Sequence, residues 1–308
     1  MLSSSRVLPT RERARTAAVV GLFALATLAA ACAKRRHPQP HSRELPPLPQ
    51  AAGCGHAAPR TGDFHLEAVD GDGMSRDYDV VVPEGSGPFA LTFVFHGSAS
   101  TQAVAKDFGL QSVPGAGTSS IFVFPQGMPF KSYGVGWDDA CDGYDMAFFD
   151  GMMSRLESDY CIDKDAVFAA GFSWGCDFVT SLACCRGDRI RAVAGGSCSD
   201  EFADPAKAST YLNLPCPAPR HPAVRFTYDP GGDQAFTAQY FATTSVLYRS
   251  LNACPTGAEG KPTDNAACVS YEGCASPFFE CRYPGMGHAL PPTWAADTWR
   301  FFSSFRSR

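Results

Sequence analysis

Ser173 and His288 are the side chains whose surroundings best suit chemistry. Ser173 centres Gly171-Phe172-Ser173-Trp174-Gly175, between an apolar run, Val167 to Ala170, and a helix-compatible stretch, Asp177 to Cys185. A serine at the apex of a strand-to-helix turn is held clear of its sheet, where a carbonyl can reach it. Glycine is needed two residues to either side, because a side chain there would meet the neighbouring strand or helix. A serine hydroxyl also needs a base to take its proton and a carboxylate to orient that base. Two histidines follow Ser173. His221 lies in a Pro-rich stretch ahead of any candidate acid, whereas His288 ends the loop Gly285-Met286-Gly287-His288. The acid is expected in Tyr228-Asp229-Pro230-Gly231-Gly232-Asp233. Asp233 is preferred because it directly precedes a helical pattern, a position that equally suits an N-cap, and Asp229 stays open as the alternative. Two backbone N–H groups must hold the developing oxyanion. Trp174 supplies one, and Ser98 (or else Gly97) the other. The chemistry is acyl transfer to water, with no metal and no organic cofactor.

With 29 glycines in 308 residues the pentapeptide alone is weak, so the elements around it must agree. Tyr78–Pro83, Ala90–Phe95, Ile121–Phe124, Val167–Ala170, Arg191–Ala194, Val224–Tyr228 and Phe279–Tyr283 read as strands, several of them continuous apolar runs. Such runs mark strands buried on both faces. Tyr144–Tyr160, Ala235–Leu251 and Thr293–Phe305 carry helical apolar spacing. The alternation predicts an α/β fold, a mainly parallel sheet with helices on both faces. Its functional groups then sit in loops at one end of the strands. His96, in His96-Gly97-Ser98, is expected to brace its loop.

The motifs resemble those of the secreted α/β-hydrolase esterases that include polyhydroxybutyrate depolymerases, feruloyl esterases and acetyl-xylan esterases. The resemblance rests on Gly53-Cys54-Gly55, Phe95-His96-Gly97, Phe124-Pro125-Gln126-Gly127, the run from Asp150 through Tyr160-Cys161-Ile162-Asp163 to Ser173, Cys216-Pro217, and Gly287-His288. It implies an α/β-hydrolase with Ser173, Asp233 and His288 at the triad positions. Two features depart from the group. Its usual His-Gly before the acid is replaced by Asp229-Pro230, and Trp174-Gly175-Cys176 follows the nucleophile. Trp174 reads as a lid or acyl-pocket wall, or as a buried aromatic. Cys176 reads as disulfide-bonded. Trp137-Asp138-Asp139, after a Gly-containing loop, reads as a substrate-side loop or a structural turn.

Residues 1–32 combine four arginines with an apolar segment ending at Cys32, the pattern of a signal peptide or a lipoprotein signal that lipidates Cys32. Residues 33–52 form a Pro-rich linker, and 53–308 the catalytic domain. Thirteen cysteines, twelve without Cys32, favour disulfides and an oxidising compartment over zinc, since no C-x-x-C pairs recur. Residues 1–32 also hold one Glu, so the remainder carries 22 basic and 30 acidic side chains, a net charge near −8. That excludes a nucleic-acid partner and an electrostatic grip on anionic lipid. The expected product is a secreted or outer-surface serine carboxylesterase acting on small or polymer-linked esters, touching membrane only through a lipid on Cys32. The alternative is a non-catalytic ligand-binding lipoprotein on a decayed hydrolase scaffold.

Overall fold

The computed structural model describes residues 50–129, 134–198, 216 and 218–306. The expected leader, Cys32 and most of the linker lie outside them. No helix among the described residues is long and apolar enough to cross a membrane.

Ten strands form one sheet in the order β1-β2-β4-β3-β7-β8-β9-β12-β11-β10. They are β1 (Gly62–Val69), β2 (Ser75–Val82), β3 (Phe89–Phe95), β4 (Ser120–Pro125), β7 (Ile162–Phe172), β8 (Ala192–Gly196), β9 (Ala223–Tyr228), β10 (Gly260–Pro262), β11 (Cys268–Tyr271) and β12 (Phe278–Arg282). A two-residue pair, β5 (Met128–Pro129) with β6 (Val135–Gly136), stands apart. The centre, β4-β3-β7-β8-β9-β12, is parallel throughout. Both edges are antiparallel, β1 and β2 at one side and β11 and β10 at the other.

Each central strand alternates its side chains between two cores. On β7, Val167 and Ala169 face one, and Ala166, Phe168 and Ala170 the other. The first core takes the helices α2 (Tyr144–Asp159), α3 (Trp174–Cys185) and α4 (Ala238–Leu251). The second takes α1 (Gln102–Asp107) and α5 (Trp294–Ser303). Alanines at 90, 166, 170, 192, 194 and 223 keep this second face shallow, so the bulky α5 residues Trp294, Trp299, Phe301 and Phe302 fit against it. Phe168 stacks on Phe302 at 4.7 Å between centroids. Burying each such ring contributes roughly 2–3 kcal/mol.

All twelve cysteines beyond Cys32 pair: Cys54–Cys161, Cys141–Cys185, Cys176–Cys198, Cys184–Cys216, Cys254–Cys274 and Cys268–Cys281. Three of these bonds end on α3. Because the central strands run parallel, the loops after β3, β7, β8, β9 and β12 emerge at one edge of the sheet, as sequence patterning predicts.

Candidate active site

Ser173 follows β7 directly and takes the N-cap position of α3 with φ 54° and ψ −128°. An L residue adopts such a conformation only under constraint. Here the constraint is a backbone hydrogen bond from Ser173 N–H to the Gly196 carbonyl at 2.9 Å, together with the two flanking glycines. A Cβ on Gly171 would collide with the Gly175 carbonyl, and one on Gly175 with the carbonyls of Phe95 and His96. These oxygens belong to the first turn of α3 and to the end of β3, so neither set can move aside without displacing backbone. Gly175→Ala is therefore expected to destabilise the protein by roughly 3 kcal/mol or more, read as a lowered thermal midpoint with activity lost in parallel.

His288 arrives from the loop after β12. Its Nε2 lies 2.9 Å from Ser173 Oγ and its Nδ1 lies 2.8 Å from Asp233 Oδ2. The Asp233 side chain is wholly shielded from solvent. Its other oxygen, Oδ1, accepts the N–H groups of Ala235 and Phe236, each at 2.7 Å. One carboxylate thus closes the turn before α4 and faces the imidazole. That turn also explains why α4 begins at Ala238, three residues later than the apolar pattern suggests. Asp229 does something else. Its Oδ2 accepts Gly287 N–H and its Oδ1 accepts Gly231 N–H, both at 2.9 Å. These amides, Gly287 first, hold its carboxyl below the usual range. It tethers the histidine loop, where Gly287 takes φ 68°.

Of three further neighbours of His288, two, Gln234 and Phe236, carry no motif signal in the sequence. Gln234 Oε1 accepts the His288 N–H at 3.3 Å. Phe172 and Phe236 pack against the imidazole at centroid distances of 4.8 and 5.5 Å. Only the position of Phe172 inside the pentapeptide pointed toward the site.

The loop after β3 brings Gly97 against the serine: a Cβ on Gly97 would lie 3.1 Å from Ser173 Cβ. Ser98 follows it, exposed. Trp174 begins α3, so its amide sits at a helix N-terminus, where N–H groups point outward. His96 is wholly buried. Its Nδ1 donates to the Gly97 carbonyl at 2.7 Å, and its Nε2 accepts Gly127 N–H at 2.9 Å. Only the neutral ring can make both bonds. Gln126 adds its own, accepting Gln102 N–H through Oε1 at 3.0 Å. The Gln126-Gly127 segment is thus a brace for the loop.

Burial, the largest cause, holds His96 below its ordinary value of 6.5, despite an opposing hydrogen bond to Gly97. The unfolded chain therefore binds a proton at this residue more readily than the folded one. The stability His96 gives is fully present above pH 6.5 and drains away as pH falls below it. Thermal melts from pH 7.5 to 5 are expected to show a steeper acid loss for the wild type than for His96→Gln.

Two groups have metal-ligand spacing among the described residues. Cys141, Cys184 and Cys185 all belong to disulfides, and His65, Glu67 and Asp77 lie exposed on the edge strands β1 and β2.

No family model matches the chain. It is 31% identical over 249 residues to a protein of Aspergillus niger named "Probable feruloyl esterase C", covering 74% of this chain and 83% of that one. It is 29% identical over 251 residues to "Feruloyl esterase C" of Emericella nidulans, with the same coverage. Among solved structures, an acetyl xylan esterase from Aspergillus awamori superposes with a TM-score of 0.61 at 15% identity, over 79% of this chain and all of that one. Acetyl xylan esterase 1 from Thermoanaerobacterium gives 0.52 at 16% identity, over 86% and 90%. At those identities the structures speak for the α/β-hydrolase fold.

Proposed function

The chain belongs to the feruloyl esterase family of carboxylic ester hydrolases, and on that premise we propose that it is an exported serine esterase using Ser173, His288 and Asp233. The observation that carries the reading is the unbroken hydrogen-bonded line from Asp233 Oδ2 through His288 to Ser173 Oγ. His288 Nδ1–H donates to Asp233, which leaves Nε2 as the acceptor facing the serine hydroxyl. Nε2 takes the Ser173 proton as Oγ attacks the ester carbonyl. The Trp174 and Ser98 amides receive the oxyanion. The alcohol departs with the proton from His288, which then activates water against the acyl-enzyme. The acyl group passes from the ester to Ser173 Oγ and then to water, and His288 carries the proton in each step.

Feruloyl esters are the favoured substrates, because the similar proteins are named feruloyl esterases. Six disulfides favour an oxidising compartment, consistent with a cleaved leader, whether or not Cys32 carries lipid. The non-catalytic scaffold was suggested by the missing His-Gly before the acid. The carboxylate that meets His288, Asp233, lies three residues beyond Pro230, so the departure gives the scaffold no support. Labelling with a fluorophosphonate, followed by hydrolysis of methyl ferulate, tests the reading. Rapid modification at Ser173 and serine-dependent turnover are expected. An unlabelled, folded protein without turnover would overturn it.

A further inference from the structure

Trp174 and the Trp137–Asp139 segment share contacts that proton transfer does not require. The Trp174 indole N–H donates to Asp139 Oδ2 at 3.1 Å. One face of the ring lies on Gly136, where any Cβ would collide with Cδ2, Cε3 and Cζ3. The preceding residue, Val135, accepts the Ala99 N–H through its carbonyl at 2.8 Å, which ties β6 to the loop carrying Ser98. Trp137, wholly buried, fixes the same segment from beneath by donating its indole N–H to the His96 carbonyl at 2.9 Å. A half-buried indole next to Ser173 is therefore held at its N–H edge and against Gly136, among other contacts. Its rotamer freedom is already lost on folding, so a ligand that packs on it does not have to order it.

We propose that Trp174, pinned by Asp139, forms the acyl-side wall of the substrate pocket and selects planar aromatic acyl groups over short alkyl ones. The inference rests on the esterase reading above. A conjugated acyl group is flat and stacks on indole, whereas an acetyl group offers it little surface. Stacking of that kind corresponds to a factor of about three to ten in affinity. Asp139 is a positioning residue. Burial first, and then the negative charge of Asp177, push its carboxyl well above the usual range. A neutral carboxyl accepts the indole N–H through its carbonyl oxygen, and an amide in the same place does likewise.

The test compares kcat and KM for p-nitrophenyl ferulate and p-nitrophenyl acetate, which share a leaving group, in the oxidised protein. Trp174→Ala and Asp139→Leu are expected to lower the ferulate-to-acetate ratio of kcat/KM by about three- to tenfold, chiefly through KM for the ferulate. Asp139→Asn is expected to keep the wild-type ratio, a rescue that generic loosening of the fold would not produce. Asp139→Leu carries the test alone where Trp174→Ala does not fold. A ratio unchanged within about twofold in both, with Ser173 still labelled by fluorophosphonate, overturns the wall while leaving the esterase reading intact. Equal losses on both esters, or Asp139→Asn behaving as Asp139→Leu, also overturn it. Turnover that survives Ser173→Ala would instead sink the esterase reading.

Discussion

Ser173→Ala is expected to lower kcat for p-nitrophenyl acetate and methyl ferulate by about 10⁴-fold or more. The magnitude follows from the role. Without Oγ no acyl-enzyme forms, and only the oxyanion donors and substrate binding remain. The fold should not suffer. Alanine accepts the φ of 54° no worse than serine, and the backbone bond to Gly196 is untouched. The thermal midpoint should therefore stay within about 2 °C of the wild type, a shift worth under 1 kcal/mol for a domain of this size. Loss of turnover with an unchanged melt assigns the effect to the hydroxyl. A variant that hydrolyses at the wild-type rate removes Ser173 from the mechanism.

The second large effect separates two aspartates that sequence alone leaves in competition. Asp233→Asn is expected to lower kcat by about 10⁴-fold, and Asp229→Asn by less than about tenfold. The argument is one of tautomers. In Asp233→Asn, Oδ1 keeps the amides of Ala235 and Phe236, so the turn survives, and an NH₂ group then faces His288 Nδ1. Nδ1 must become the acceptor, which moves the ring proton to Nε2, where it points at the Ser173 hydroxyl. A ring in that state cannot accept the serine proton. Asp229→Asn weakens at most one of two loop tethers and leaves the ring's own partner in place. Steady-state kinetics of both variants on p-nitrophenyl acetate decide the matter. A heavier penalty from Asp229→Asn would reverse the assignment.

Much of this molecule is legible in its sequence because its central strands are buried on both faces. Runs such as Ala90–Phe95 and Ile121–Phe124 announce themselves by apolar continuity alone. The edges do not. In β1 only Phe64 is buried, and β10 is three residues ending in Pro262. Such strands form because a neighbour offers hydrogen bonds, a cause that lies outside their own residues. The candidate site divides the same way. Ser173 and His288 stand in glycine-rich turns, whose backbone demands leave a trace in composition. The Asp233–Asp229 choice turns on which oxygen reaches which nitrogen after two loops meet, and composition carries no trace of that. Gln234 by a hydrogen bond and Phe236 by ring packing reach His288 across a long sequence separation, and each would pass for an ordinary loop residue.

Three disulfides converge on α3, the helix that begins beside Ser173. One of them joins Cys176, three residues from Ser173, to Cys198 after β8. Loss of a native disulfide commonly costs about 2–5 kcal/mol, so the reduced chain is expected to lack a firmly seated elbow. Competence to hydrolyse is then acquired only after oxidation. Under the proposed export, the nascent polypeptide is harmless to the esters of the cell that makes it, and crossing out of the reducing interior becomes the step that arms it.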